Sequence, residues 1–318
     1  MGTEIGLHGI GFVGEGLARP ECVLATRRGD LFVSDRRGGV THIEPDGAQR
    51  LIGGGSLVPN GIALLRDGSF AIANLSDDGG VWRLYRDGRI EPEVTEIAGR
   101  RLGSVNFVRT DSQGRLWICV STVRPGENQY RTDVPDGFIA LKDEAGLRVV
   151  ATDLVWTNEC FPDEARGHLY VNETFGRRLT RFDMAPDGSL SNRITIATFG
   201  HGDYPDGLSM DEAGGVWVVS VASNRVIRIA PDGTREVLVE DSDESHLDAL
   251  EAALHARKLT RPMIHEARSR LLRNSSSIAF GGADRRTAHL GCLAGERLAT
   301  FRAPFAGVAP VHWDANRD

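Results

Sequence analysis

The chain has little of what a membrane, nucleic-acid or disulfide-rich protein needs. No run of eighteen apolar residues occurs in its 318 residues, so no membrane-spanning helix is expected. Basic residues are outnumbered, 37 against 44 acidic, for a formal net charge of -7. Nucleic-acid binders display a basic footprint, and none is expected here. The four cysteines, Cys22, Cys119, Cys160 and Cys292, lie far apart, with no CxxC and no histidine at zinc spacing. They read as small buried hydrophobes in a reducing compartment. The opening MGTEIGLHGIGFVGEG lacks the basic start and apolar run of a secretory leader, so a cytoplasmic location is expected.

Glycine, in contrast, is plentiful. There are 38 glycines, many in PDG, RDG and RRG turns, and 41% of the residues are apolar. That profile fits many short strands better than a helical bundle. Five times a lone Glu, Asn or Asp stands eight or nine residues before a glycine that opens an apolar strand. These are Glu21 (Gly29), Asn60 (Gly68), Asn106 (Gly114), Asn158 (Gly167) and Asp206 (Gly214). Aligned on those glycines, the chain divides into units near 20–50, 59–90, 103–150, 156–190 and 204–240. Segments such as GGVWRLY, RRLTRFD and NRVIRIA alternate apolar and polar residues, as half-buried strands do. Each unit has the length of a four-stranded propeller blade.

A sixth unit spans Asn274–Leu293, with Ser276 and Ser277 where the others carry an acid or amide. The expectation is an all-β, six-bladed β-propeller forming one domain over residues 1–318, with a helical insertion at 243–268 between blades five and six. Leu247, Leu250, Leu254 and Leu259 give that insertion its amphipathic stripe, with acids early and His, Arg and Lys late. A lid and a homodimer contact are both open to it; decoration or packing is the preferred reading. A TIM barrel needs about eight alternating helices, and only one convincing helix is visible.

Residues at one register before each inner strand would face the axis together. Asn60-Gly61 and Asp206-Gly207 also read as ordinary turn dipeptides, and Asn60 is the weakest member of the set. Glu, Asn and Asp supply oxygen ligands, which suit hard cations. An ion held by them would polarise a carbonyl and acidify a water, and a neighbouring acid would act as general base. These are the needs of ester or lactone hydrolysis. No GxSxG, P-loop or dinucleotide fingerprint is present.

The segments PECVL, PNGI, GSVNFV, TNECF, LYVNETFGRRLTRFDM, YPDGLSMDEAGGVWVV and IAFGGADRRT resemble the regucalcin/gluconolactonase family, also called the senescence-marker-protein family. The resemblance runs over nearly the whole chain apart from the insertion and the C-terminal stretch. It implies a six-bladed propeller with one divalent metal in the channel, Ca2+ first, with Mg2+, Mn2+ or Zn2+ as alternatives. It assigns the ligands to Glu21, Asn158 and Asp206, makes Asp206 the general base, and places Asn106 against substrate or a metal-bound water. Two departures stand out. Ser104 occupies the position where sugar-lactonase members tend to carry an arginine, and Asn158 is followed by Glu159-Cys160 where many relatives read Asn-Gly.

Further candidates around the channel are Ser104, Asn60, His201 and, from the long loop 123–136, Arg124, Glu127 and Tyr130. His265-Glu266 reads as surface helix. The leading expectation is a metal-dependent lactonase acting on a small cyclic ester. A non-hydrolytic metal enzyme (isomerase, cyclase or lyase) and a non-catalytic calcium- or ligand-binding propeller stand as alternatives.

Overall fold

The five glycines that opened the repeats, Gly29, Gly68, Gly114, Gly167 and Gly214, all have φ between 66° and 87°. Side chains with a Cβ resist that region. Each glycine closes the tight turn between the first and second strands of a unit, and the computed structural model of the protein shows those units as blades. It describes residues 4–76, 78–103, 105–124 and 130–315.

Blade one is Val23–Ala25, Leu31–Asp35, Gly39–Ile43 and Gln49–Gly53, and blade two is Pro59–Leu64, Phe70–Asn74, Val81–Leu84 and Ile90–Val94. Blade three is Val105–Thr110, Leu116–Val120, Gly137–Asp143 and Gly146–Leu154. Blade four is Thr157–Asp163, His168–Glu173, Arg178–Met184 and Leu190–Thr198. Blade five is Asp203–Met210, Val216–Ala222, Arg225–Ile229 and Arg235–Val239. Each is an antiparallel meander with its first strand innermost, and neighbouring inner strands pack on one another around the axis.

Blade six is built from both ends of the chain. Ser275–Gly281, Thr287–Cys292 and Leu298–Arg302 take their fourth, outer strand from Gly11–Val13, with Gly11 opposite Thr300 and Val13 opposite Leu298. Nothing in the period of the sequence marks that N-terminal strand, because it lies outside the repeats. It closes the ring and covers a sheet edge that would otherwise be open.

Second strands are buried on both faces because blades stack face to face. Phe70–Asn74, Leu116–Val120 and Val216–Ala222 have no exposed residue. Strands there read as continuous apolar runs, whereas the outer strand Leu190–Thr198 is mostly exposed. Two blades carry the same buried polar clamp. In blade five, Asp211 Oδ2 accepts from Trp217 Nε1 at 2.7 Å and from Arg228 Nε at 2.6 Å. In blade three, Asp111 does the same for Trp117 at 2.8 Å and Arg115 at 2.6 Å. All six residues are buried.

The insertion forms α1 (Glu244–His255) and α2 (Arg261–His265). Asp243 caps α1 by accepting from His246 N at 3.0 Å. Leu247, Leu250, Leu254 and Leu259 are buried against Tyr130, Phe175 and Tyr204. No helix among the described residues is long and apolar enough to cross a membrane.

Removing Asp211 would leave Arg228 and the Trp217 N–H buried without their shared acceptor. Asp211→Ala should therefore destabilise the protein by about 3–5 kcal/mol. Glu212→Ala, at an exposed carboxylate beside it, should stay within about 0.5 kcal/mol. Denaturant melts of the two variants check the contrast.

Candidate functional site

Inner strands two to five each break register at the candidate residue. The pairing jumps between Pro59 and Ile62, between Val105 and Phe107, between Thr157 and Cys160, and between Pro205 and Leu208. Such a bulge sets extra residues on one strand against fewer on its partner and re-aims a side chain. Asn60, Asn106, Asn158 and Asp206 occupy these bulges, and Glu21 lies just before the first inner strand. All five line one pocket.

The glycines after Asn60 and Asp206 are not turn glycines. Both dipeptides lie inside strands. A Cβ on Gly207 would sit 2.4 Å from Ser276 O, and one on Gly61 would sit 2.4 Å from the Phe107 ring. The PNG and PDG motifs reflect the close approach of the next inner strand, which corrects the turn reading.

The side chains form one network. Asn60 Nδ2 donates to Glu21 Oε1 at 3.0 Å, to Asn106 O at 2.8 Å and to Asn106 Oδ1 at 3.2 Å. Its Oδ1 is taken by Arg19 Nη2 at 2.8 Å. Asn60 thus spends both ends of its amide holding Glu21 and Asn106 in place. On the far wall, Asn158 Nδ2 donates to Thr174 Oγ1 at 2.9 Å, and the Thr174 hydroxyl donates to Pro205 O at 2.8 Å. Ser276 and Ser277 hydroxyls both donate to the Glu21 carbonyl, at 2.9 and 2.5 Å.

After this wiring, two buried acceptors remain without a partner: Glu21 Oε2 and Asn158 Oδ1. Buried oxygens are rarely left so. Both belong to residues that the family resemblance assigns to a metal, and the Asp206 carboxylate lines the same pocket. Among the described residues no three His, Cys, Asp or Glu side chains converge. A cation here would rest on two carboxylates and an amide oxygen, a donor set that fits a hard divalent ion.

Burial raises the proton affinity of the acids. Glu21 is pushed up to about 7 by desolvation, against the pull of Arg19 and the Asn60 amide. Burial, then the nearby Glu21 carboxylate, pushes Asp206 well above the usual carboxylate range; Arg19 and the Asn158 amide oppose this. Glu159, the next residue after Asn158, turns away from the pocket. It lines a cavity at the other end of the channel with Arg109 and His312, and its Oε2 accepts from Leu208 N at 3.0 Å.

Other expectations meet the structure differently. Tyr130 lines the pocket. Arg124 is not among the lining residues; it pairs with Asp136 at 3.0 Å. His201 is exposed, 3.1 Å from Asp248, and is likewise not in the lining. Ser104 and Glu127 lie outside the described residues. The insertion is more than decoration: Arg261, Ile264 and His265 of α2 reach the pocket. His265 is therefore no surface histidine, and burial followed by the nearby arginines lowers its pKa to about 3. Arg19, Trp156, Thr174 and Phe175 complete the missed wall. None of these four stands at a position that recurs from unit to unit, so none carries a periodic signal, though Arg19 lies two positions before Glu21.

These shifts set a pH dependence for the metal-free protein. Folded Glu21 keeps its proton to about pH 7, whereas an ordinary Glu releases it near 4.5. In that window the folded state binds more protons, so the Glu21 contribution is fully present below it and is lost as pH rises. Chelated Glu21→Gln should gain stability over chelated wild type between pH 5 and 8. A difference in melting temperature that stays flat across that range would contradict the assignment.

Comparison with known proteins places this geometry. Residues 71–240, more than half of the chain, match the SMP-30/gluconolactonase/LRE-like region family. The 6-deoxy-6-sulfogluconolactonase of Pseudomonas putida is 28% identical over 176 residues, covering 54% of this chain and 56% of that protein. The chain spans about half the length of the curated relatives it matches. Among solved structures, a gluconolactonase of Xanthomonas campestris superposes with a TM-score of 0.69 at 19% identity, covering 93% of this chain and 89% of that one. The calcium-binding regucalcin of Agrobacterium tumefaciens superposes at 0.63 with 14% identity, covering 93% and 96%. At such identities the superpositions speak for the fold, a six-bladed propeller. By its sequence match and its fold, the chain belongs to the SMP-30/gluconolactonase/LRE-like family.

Proposed function

We propose that the protein is a metal-dependent lactonase that opens a small cyclic ester. The observation that carries this reading is the pair of buried, unpartnered oxygens, Glu21 Oε2 and Asn158 Oδ1, in the pocket that also holds Asp206. Bound by Glu21, Asn158 and Asp206, a hard divalent ion, Ca2+ first, would supply Lewis acidity toward the ester carbonyl.

The rest is the work of the chain's own side chains. Asp206 takes a proton from water as the water oxygen bonds to the carbonyl carbon. The ring C–O bond then breaks, and the proton passes to the ring oxygen, giving a hydroxy acid. Asn106, its Oδ1 engaged by Asn60, offers its amide N–H to substrate. Tyr130, Trp156 and Phe175, which pack ring against ring at 5.0 to 5.4 Å, keep bulk water from one side. Thr174 fixes which end of the Asn158 amide faces the pocket.

A lactone panel assayed with and without chelator tests the reading. Activity should need added divalent ion, and Asp206→Asn should lower kcat by about a hundredfold or more. Metal-bound protein that opens no lactone would end the hydrolase reading in favour of the non-hydrolytic or purely binding alternatives. Thr174→Val should weaken metal binding about 10–100-fold by calorimetry, because Asn158 would lose the partner that orients it.

A further inference from the structure

The pocket that holds two acids also holds two arginines, and neither arginine is in ion-pair contact with a described carboxylate. Arg19 gives its nitrogens to Asn60 Oδ1 at 2.8 Å and Pro59 O at 3.4 Å, both neutral acceptors. Arg261, from α2, gives Nε to the Tyr130 hydroxyl at 2.9 Å. Among the described residues neither makes an ion pair with a carboxylate, although most arginines of this chain do. Exposed Arg36 stands close enough to act electrostatically on Arg19 and His265, and it has no ion pair with a described carboxylate either.

Charge accounting gives these arginines a meaning. The nearby negative charges that answer Arg19 are those of Glu21 and Asp206. A divalent cation seated on those carboxylates would use that negative charge. Arg19 and Arg261, both half-buried, would then face an aromatic-walled pocket with no carboxylate left to answer them, which favours a ligand that supplies negative charge. His265 adds no negative charge and, being neutral, offers only hydrogen bonds. Arginine also presents a planar fork that grips an oxyanion with two parallel N–H bonds. The two forks come from distant parts of the chain, one just before blade one and one from the insertion, and both line the pocket.

We propose that the substrate carries an oxyanion group, a carboxylate, sulfonate or phosphate, held by Arg19 and Arg261 while its lactone carbonyl lies toward Asp206. Arg261 is then the specificity-determining residue contributed by the insertion, and α2 serves as one wall of the site. This rests on the lactonase reading for the reactive group but not for the anion contact.

The test pairs matched lactones on metal-loaded protein: neutral glucono-δ-lactone against the same ring bearing a 6-carboxylate, a 6-sulfonate or a 6-phosphate. At least one anionic member should be preferred in kcat/KM by about tenfold or more, the value of one charge-assisted contact. Added salt should raise its KM. Arg261→Gln should lower the anionic-to-neutral ratio about tenfold, mainly through KM, and Arg261→Lys should restore part of it. As a readout independent of turnover, calorimetry should show the ring-opened 6-carboxylate diacid binding wild type and losing affinity in Arg261→Gln. Should neutral and anionic lactones be opened alike, with a ratio indifferent to Arg261 and to salt, the proposal falls while the lactonase reading stands. Should no lactone be opened yet the diacid bind in an Arg261-dependent way, the lactonase reading falls and the anion site stands.

Discussion

The pocket depends on one backbone device, the register break at the start of inner strands two to five. A regular strand sends successive side chains to opposite faces of its blade. The bulges at Asn60, Asn106, Asn158 and Asp206 interrupt that alternation and deliver a side chain toward the axis. Convergence then requires inner strands to come very close. Gly61 and Gly207 allow it, since a Cβ at either would overlap the neighbouring strand. The motif residue and the glycine after it form one unit: the first projects and the second makes room.

This device explains what the sequence could and could not disclose. A repeat at fixed register is visible in a one-dimensional string, so the blades and the five projecting residues were legible. The purpose of the glycines was not. An Asn-Gly in a hairpin and an Asn-Gly in a crowded strand look the same until the neighbour is placed, and that neighbour lies some fifty residues away or more. Asn60 was undervalued for the same reason, since its partners Arg19, Glu21 and Asn106 come from other segments. The leucine stripe of the insertion foretold a packed helix, yet the residues that reach the pocket lie on the short α2 that follows it.

Electrostatically the axis is an unusual place. Glu21, Asp206 and Glu159 are all buried there, and burial pushes each toward its protonated form. Like charges and low dielectric would make three ionised carboxylates costly together. The bulge at Asn158 and Glu159 separates them in space, because adjacent residues line different cavities of the channel. One end gathers oxygen donors that fit a cation. At the other a carboxyl lies within the electrostatic reach of Arg109, whose guanidinium sits over Phe161 at 4.6 Å.

The closing of blade six bears on how the protein comes into being during synthesis. Glu21 is made early, but its carbonyl is held by Ser276 and Ser277 from the last blade, and that blade in turn takes its outer strand from Gly11–Val13. A nascent chain with five blades already outside the ribosome carries every acid and amide of the pocket and still lacks the hydroxyls that anchor the first of them. The pocket is therefore closed only when the last blade is in place, and a truncated translation product has the acids and amides without the closed pocket.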